Sequence, residues 1–270
     1  MRKKDLKETI NDRPVFILAQ GPSLEVFEEN VNLFKDIDCC YIAINRFDVM
    51  EPILTKIGKN FDMVCMSAQD HVNFTGNQLA SFLHRDPRCI ECGYQVQLVS
   101  SGLKEMLASQ RQFSQECISV KCSACSGTIQ RPIWICHESN LNQLGLTTEA
   151  VNYQNIFVAN SIFHRNPECS NTLAVLLDIL ININTKKIFL FGCDGGPREG
   201  KTYYKVDTIT GYHHHAYTAS SVSQDTECFN NNFWRIKNSK MENHEIYNCC
   251  EHSKLNTFTK IDPLKVKEYL

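Results

Sequence analysis

Three stretches of this sequence bring together residue types that can do chemistry. His213, His214 and His215 stand side by side in Gly211-Tyr-His-His-His-Ala-Tyr217. Imidazole titrates near neutrality, so any of the three could take a proton from a hydroxyl. Such a triplet fits poorly in a core; the plainer alternatives are a solvated loop or metal binding. Upstream, Gly192-Cys-Asp-Gly-Gly196 closes an apolar run. Asp194 there could hold Mg²⁺, bond a ribose or cap a turn, with Asp70 and Asp207 as further carboxylates for a magnesium site. The third stretch, Gln20-Gly21-Pro22-Ser23, follows the first apolar run. Gly21 would let backbone approach a ligand closely, Pro22 would stiffen the turn, and Ser23 would cap a helix or offer its hydroxyl. A helix starting there would turn N–H groups and a positive dipole end toward a phosphate. The alternative is a turn that does no more than join a strand to a capped helix. The second and third glycines of a dinucleotide fingerprint and the lysine of a P-loop are absent.

The chain holds 14 cysteines. Cys89-x-x-Cys92 and Cys122-x-x-Cys125, with 29 residues between the pairs, have the spacing of a zinc ribbon. Both pairs fall in alternating, strand-like sequence without a glycine-rich knuckle, so no metal is favoured and the thiols are expected to pack as small hydrophobes. Trp134, Cys136 and His137 are read in the same way, as core or edge packing.

The elements that would position these residues alternate. Val15-Phe-Ile-Leu-Ala19 is a continuous apolar run, as for a strand buried on both faces of a parallel sheet. Leu24, Phe27, Val31 and Phe34 then recur at helical spacing, with Glu25, Glu28 and Glu29 in the opening turns. Cys40–Ile44 and Phe61–Met66 are expected as strands, with a helix over Val49–Ile57 between them. Short strands are expected at Cys89–Val96, Ile118–Cys122 and Ile133–Cys136. Thr172–Ile183 is apolar nearly all round and so a buried helix. Ile188–Phe191 is a strand, Val222 to Ile236 a long helix, Glu245–Cys249 the last strand and Asp262–Leu270 a closing helix. This predicts an α/β Rossmann-like fold: a mainly parallel sheet with helices on both faces, in a single domain over 1–270. Residues 1–13 read as a surface lead-in and 97–150 as an irregular insertion.

Gly-Pro-Ser-Leu after the first strand, Ile44-Asn45-Arg46-Phe47 at the end of the second, and a late strand closing on Gly192-x-Asp194 before a tyrosine-containing loop carry a resemblance. They resemble the superfamily of 6-hydroxymethylpterin diphosphokinase MptE-like proteins, motility-associated glycosylation factors and bacterial lipooligosaccharide sialyltransferases. The likeness runs from about Val15 to Ile261, in these short blocks. It implies nucleotide contacts from Gln20, Gly21, Pro22, Ser23, Asn45, Ser170, Asn171 and Asp194. It also implies donor-phosphate activation by Tyr203 or Tyr204, and a catalytic base among His213, His214 and His215. Two features depart from the family pattern: Gln20 stands where the sialyltransferases carry Asn, and Gly195-Gly196 replaces the aromatic residue past the aspartate.

The resemblance implies a glycosyltransferase, moving a sugar (a nonulosonic acid on a cytidine nucleotide is favoured) to an acceptor hydroxyl, with no cofactor. The alternatives are a pyrophosphokinase using ATP and Mg²⁺ on a pterin-like alcohol, with Asp194 as metal ligand, and a non-catalytic nucleotide-binding accessory protein. A net charge of −2 over 270 residues argues against nucleic acid as the main partner. The longest apolar segment, Leu173–Ile183, carries Asp178 and Asn182 and falls short of the ~20 residues that cross a bilayer. With a charged start and no apolar stretch behind it, the chain is expected in the cytoplasm.

Overall fold

The computed structural model describes residues 3–45, 47–66, 133–137, 156–159, 161, 171–198, 204, 226–233 and 243–270. Helix α1 (Lys3–Ile10) leads into β1 (Val15–Leu18), α2 (Leu24–Glu29) and a 3₁₀ turn (Val31–Phe34). β2 (Cys40–Ile44), α3 (Phe47–Thr55) and β3 (Met63–Met66) follow, then β4 (Ile133–Cys136), β5 (Ile156–Val158) and α4 (Thr172–Asn182). β6 (Lys187–Phe191), β7 (Glu245–Asn248), β8 (Thr259–Lys260) and a 3₁₀ helix (Pro263–Tyr269) complete the order. Residues 226–233 are helical.

Among the described residues eight strands form one sheet in the order β5-β4-β3-β2-β1-β6-β7-β8. All pairs are parallel, with Val15 opposite Cys40 on one side of β1 and Ile188 on the other. This is an α/β, Rossmann-like fold. Strand side chains alternate between faces, and here both faces are covered. Val15, Ile17, Ile42 and Leu190 pack with α4, with Leu6 and Ile10 of α1, and with Phe229 and Phe233. Phe16, Leu18, Tyr41 and Phe189 pack beneath the apolar residues of α2 and α3. Two covered faces are the reason β1 reads as an unbroken apolar run. Each fully buried side chain of this kind contributes about 1.5–3 kcal/mol.

Several local features differ from the sequence reading. The expected surface lead-in is a packed helix over 3–10, in which Leu6 and Ile10 are buried. Two apolar residues four apart suffice for one buried stripe on an otherwise polar helix. The Leu24–Phe34 pattern is not one helix. Asn30, whose Nδ2 donates to Val26 O, ends α2, and the 3₁₀ turn keeps Val31 and Phe34 buried. The side chain of Asn competes with the helical backbone ladder, which is how it can stop the helix without exposing the apolar stripe. Glu245–Asn248 is followed by a further strand, β8, of two residues, too short for any periodicity to mark. The closing helix is 3₁₀, started by Asp262, whose side chain accepts from Leu264 N, with Pro263 at its first position. The strands expected at 89–96 and 118–122 lie outside the described residues.

From β1 the chain moves outward to β5 on one side; β6 then pairs on the other side of β1, and β7 and β8 continue outward. The order therefore reverses between β1 and β6. In open parallel sheets ligands bind outside the carboxyl ends of the strands at such a reversal. No helix among the described residues is long and apolar enough to cross a membrane.

Candidate functional site

The loops leaving β1 and β6 meet at this reversal and are bonded to each other. Ala19 N donates to Phe191 O at 2.8 Å and Gly21 N to Gly192 O at 2.7 Å. Asp194 closes the joint. It is 6% exposed, and its carboxylate accepts the Ser23 N–H at 3.1 and 3.2 Å, the Ser23 hydroxyl at 2.7 Å and the Cys250 thiol at 3.4 Å. Its own carbonyl accepts from Lys254 N at 2.7 Å and from Ser253 Oγ at 3.2 Å. The turn itself is ordinary: Leu24 N donates to Gly21 O, Glu25 N to Pro22 O, and Pro22 takes the first central position that suits its fixed φ.

This geometry reassigns the Gly-Pro-Ser turn. The expected anion at the start of α2 is present, and it is the protein's own Asp194. Ser23 makes no side-chain cap bond to its helix; its hydroxyl is turned to Asp194 instead. Gly21 is required by the clasp itself. A Cβ there would overlap Asp194 Oδ2 and Gly192 O and lie 2.9 Å from Asp194 Cγ. The expected Asp194 roles of metal ligand and ribose contact both need oxygens that are already engaged within the fold.

Beside this clasp the carboxyl edge is differently furnished. Gln20 is 7% exposed at the end of β1, and its Nε2 has no hydrogen-bond partner among the described residues, while its backbone carbonyl accepts from Tyr204 N at 2.7 Å. An amide buried without a partner costs about 1–3 kcal/mol, so a complementary acceptor is expected to meet it. At the end of neighbouring β2, Asn45 takes the left-handed conformation (φ 60°), which Asn tolerates better than most residues. Its N–H donates to Cys65 O at 2.9 Å, and its Oδ1 accepts from Thr172 Oγ1 at 3.3 Å. That bond brings the start of α4 to the end of β2. Asn171 caps α4, its side chain accepting from Ala174 N at 2.8 Å. Gln20, Asn45 and Asn171, which the resemblance nominated together as nucleotide contacts, therefore sit on strand ends and a helix start along one edge of the sheet.

Tyr204 has a different role from the one expected. It is buried against the α2 face, and its hydroxyl donates to Glu28 Oε2; Glu28 also pairs with Lys56 at 2.7 Å. Burial, reinforced by the bond to Glu28, pushes the phenol well above its ordinary value. A phenol so engaged is not available to a leaving phosphate. Of the expected pair, Tyr203 lies outside the described residues. So do Ser170, His213, His214, His215, Asp70, Asp207, Cys89, Cys92, Cys122 and Cys125.

The described cysteines are buried except Cys228, which is half-buried. Desolvation raises the thiols of Cys193, Cys249 and Cys250 around the clasp, Cys250 to about 11 and the other two further. They are protonated at neutral pH, and Cys250 is a donor to Asp194. Among the described residues no group of three or more His, Cys, Asp or Glu side chains is arranged to hold a metal ion. Sequence reasoning missed Cys250, Ser253 and Lys254. The only signal for them was a polar turn, Glu251-His-Ser-Lys254, directly after an expected strand.

Fold and edge together define an α/β protein with a Rossmann-like sheet and a candidate ligand site at the β1/β6 reversal. No family model, no curated protein and no solved structure matches the chain.

Proposed function

We propose that this protein is a nucleotide-dependent transferase, and within that class a glycosyltransferase moving a sugar from a nucleotide donor to an acceptor hydroxyl. The observation that carries the reading is Gln20: a buried carboxamide at the carboxyl end of β1, beside the strand-order reversal, with Nε2 unpartnered among the described residues. A base or sugar of a nucleotide supplies the acceptor atom that such a group requires. Asn45 and Asn171, on the adjacent strand end and the start of α4, are the polar groups next along the edge.

In this scheme the donor is a cytidine nucleotide of a nonulosonic acid. The acceptor hydroxyl gives its proton to one of His213, His214 or His215 as its oxygen bonds the anomeric carbon. The carbon–oxygen bond to the donor phosphate breaks, and the nucleotide monophosphate leaves with that electron pair. Tyr203 is the remaining candidate to steady the leaving phosphate. The cytoplasm is the compartment in which such a donor would be met.

The magnesium-dependent pyrophosphokinase is the second reading. It asks Asp194 to hold the metal, but that carboxylate lies against Ser23 and Cys250 and would have to leave both. This favours the metal-independent transferase. The accessory-protein reading differs by predicting binding without turnover.

A thermal-shift screen of CMP, UDP, GDP and ATP, each with and without Mg²⁺, tests the proposal. A ligand at 100 times its dissociation constant stabilises by about 2.7 kcal/mol. CMP is expected to stabilise without metal. Stabilisation by ATP only with Mg²⁺ would transfer the assignment to the kinase, and no shift with any nucleotide would remove the nucleotide reading.

A further inference from the structure

With the Ser23 amide engaged by Asp194, the turn before α2 does not supply positive charge to a ligand, and Gln20, Asn45 and Asn171 are neutral. A cation for a phosphorylated ligand must come from elsewhere on this edge. Lys254 stands on the turn after β7, and its backbone is held on two sides. Its N–H donates to Asp194 O at 2.7 Å, and its carbonyl accepts from Asn230 Nδ2 at 2.8 Å. Asn230 Oδ1 in turn accepts from Asn256 N at 2.9 Å and Thr257 Oγ1 at 3.1 Å. The turn is thereby stitched to the β6 loop and to the helical segment 226–233.

The side chain, by contrast, is uncommitted: its ammonium makes no ion pair or hydrogen bond among the described residues. It lies along Gly196. A Cβ on Gly196 would stand 3.0 Å from Lys254 Cδ and 3.1 Å from Nζ, and one on Gly195 would stand 2.9 Å from Thr226 Cγ2. Gly196 thus lies against the Lys254 side chain at the end of β6, next to the strand-order reversal, while Gly195 lies against Thr226 and Leu255.

We propose that Lys254 is a cation of this edge and that it binds a phosphoryl group lying beside the Gly195-Gly196 loop. An ammonium is a compact charge with three donors and needs no fixed fork geometry, which suits a phosphoryl group held mainly by Coulomb attraction. The inference rests on the nucleotide reading only in making that phosphoryl group the donor's own.

The test is calorimetric titration of the full chain at low salt with inorganic pyrophosphate, CMP and cytidine. The proteins are the wild type, Lys254→Met, Lys254→Arg and, as a charge control, Lys267→Met. Lys267 belongs to the closing 3₁₀ helix, whose end Lys187 ties to the start of β6 at the opposite edge. The Lys254 backbone bonds do not involve its side chain, so Lys254→Met is expected to keep the wild-type urea midpoint. It should bind pyrophosphate and CMP ~10- to 100-fold more weakly, the range for losing one charge-assisted bond. Cytidine affinity should be unchanged, Lys254→Arg should regain most of the loss, and Lys267→Met should match the wild type. Equal binding of pyrophosphate and CMP by wild type and Lys254→Met overturns the assignment and leaves the nucleotide reading standing. Lys254-dependent binding of pyrophosphate with no preference for any nucleotide upholds the assignment and removes the nucleotide reading. A wild type that binds neither overturns both.

Discussion

At the amino-terminal edge of the sheet Arg13 donates to Ile10 O, Thr9 O, Cys39 O and Asp62 Oδ1, while Asp62 Oδ2 accepts from Tyr41 N. One guanidinium thus joins α1 to the starts of β2 and β3 with its donors facing protein acceptors. At the carboxyl-terminal edge Asp194 makes an equally dense joint, yet beside it Gln20 Nε2 is unpartnered and the Lys254 ammonium is unpaired among the described residues. Among the described residues the amino edge has one orphan of its own, the Thr185 hydroxyl, beside a shallow recess lined by Lys7, Arg13 and Lys186. A hydroxyl of that kind can be satisfied by a single water. The contrast separates two uses of buried polarity. A network closed on itself holds elements together, and the one left open along a strand-order reversal is where the proposed ligand would bind.

The contrast can be broken most forcefully at the clasp. Asp194→Ala leaves the Ser23 amide and hydroxyl buried without their acceptor, and is expected to lower the unfolding free energy by about 3–5 kcal/mol, read from urea melts. Asp194→Asn should lose less, because one carboxamide oxygen still accepts. A loss below about 1 kcal/mol for the alanine variant would mean that the clasp does not bear on stability.

Arg13→Ala comes next. It opens the amino edge alone, with an expected loss of about 2–3 kcal/mol and no change in nucleotide or pyrophosphate affinity measured by calorimetry. A changed affinity would erase the distinction between the two edges.

Each edge also carries a buried thiol whose ionisation burial opposes: Cys250 at the carboxyl edge, raised to about 11, and Cys39 at the amino edge, raised to about 12. Because the folded values lie above the ordinary one near 9, the native state keeps these protons when the unfolded chain has lost them. Their contribution is whole below about pH 9 and falls as pH rises toward 11 and 12. The slope is up to about 1.4 kcal/mol per pH unit for each thiol. Urea midpoints in reductant at pH 8, 9 and 10 should therefore decline above pH 9, and Cys250→Ala should flatten part of that decline. A pH-independent midpoint would count against thiol burial at both edges.

The smallest effect has the opposite sign. Gln20→Leu removes an orphaned amide and is expected to raise stability by about 1 kcal/mol while abolishing nucleotide binding. A variant that binds as the wild type does would place the ligand away from β1.

Much of this architecture was legible before any coordinates. Continuous apolar runs at Val15–Leu18, Cys40–Ile44 and Ile188–Phe191, and the all-round apolar stretch from Thr172, identify buried strands and a buried helix because burial on every side leaves no polar positions. Gln20 and Asp194 were legible as candidates because each follows such a run, whereas Asn45 and Asn171 were nominated by the resemblance. The amino-acid sequence determined the elements and the polar residues at their ends, since both follow from local propensity and periodicity. Tertiary packing alone decided that β6 lies beside β1 and that Ser23 meets Asp194, 171 residues away, as an internal anion. It likewise turned the Tyr204 hydroxyl to Glu28, 176 residues away, and laid Lys254 along Gly196. Partners so far apart in the chain leave no periodic trace; they are selected only when strand order brings the loop ends together and burial obliges each polar group to find a complement.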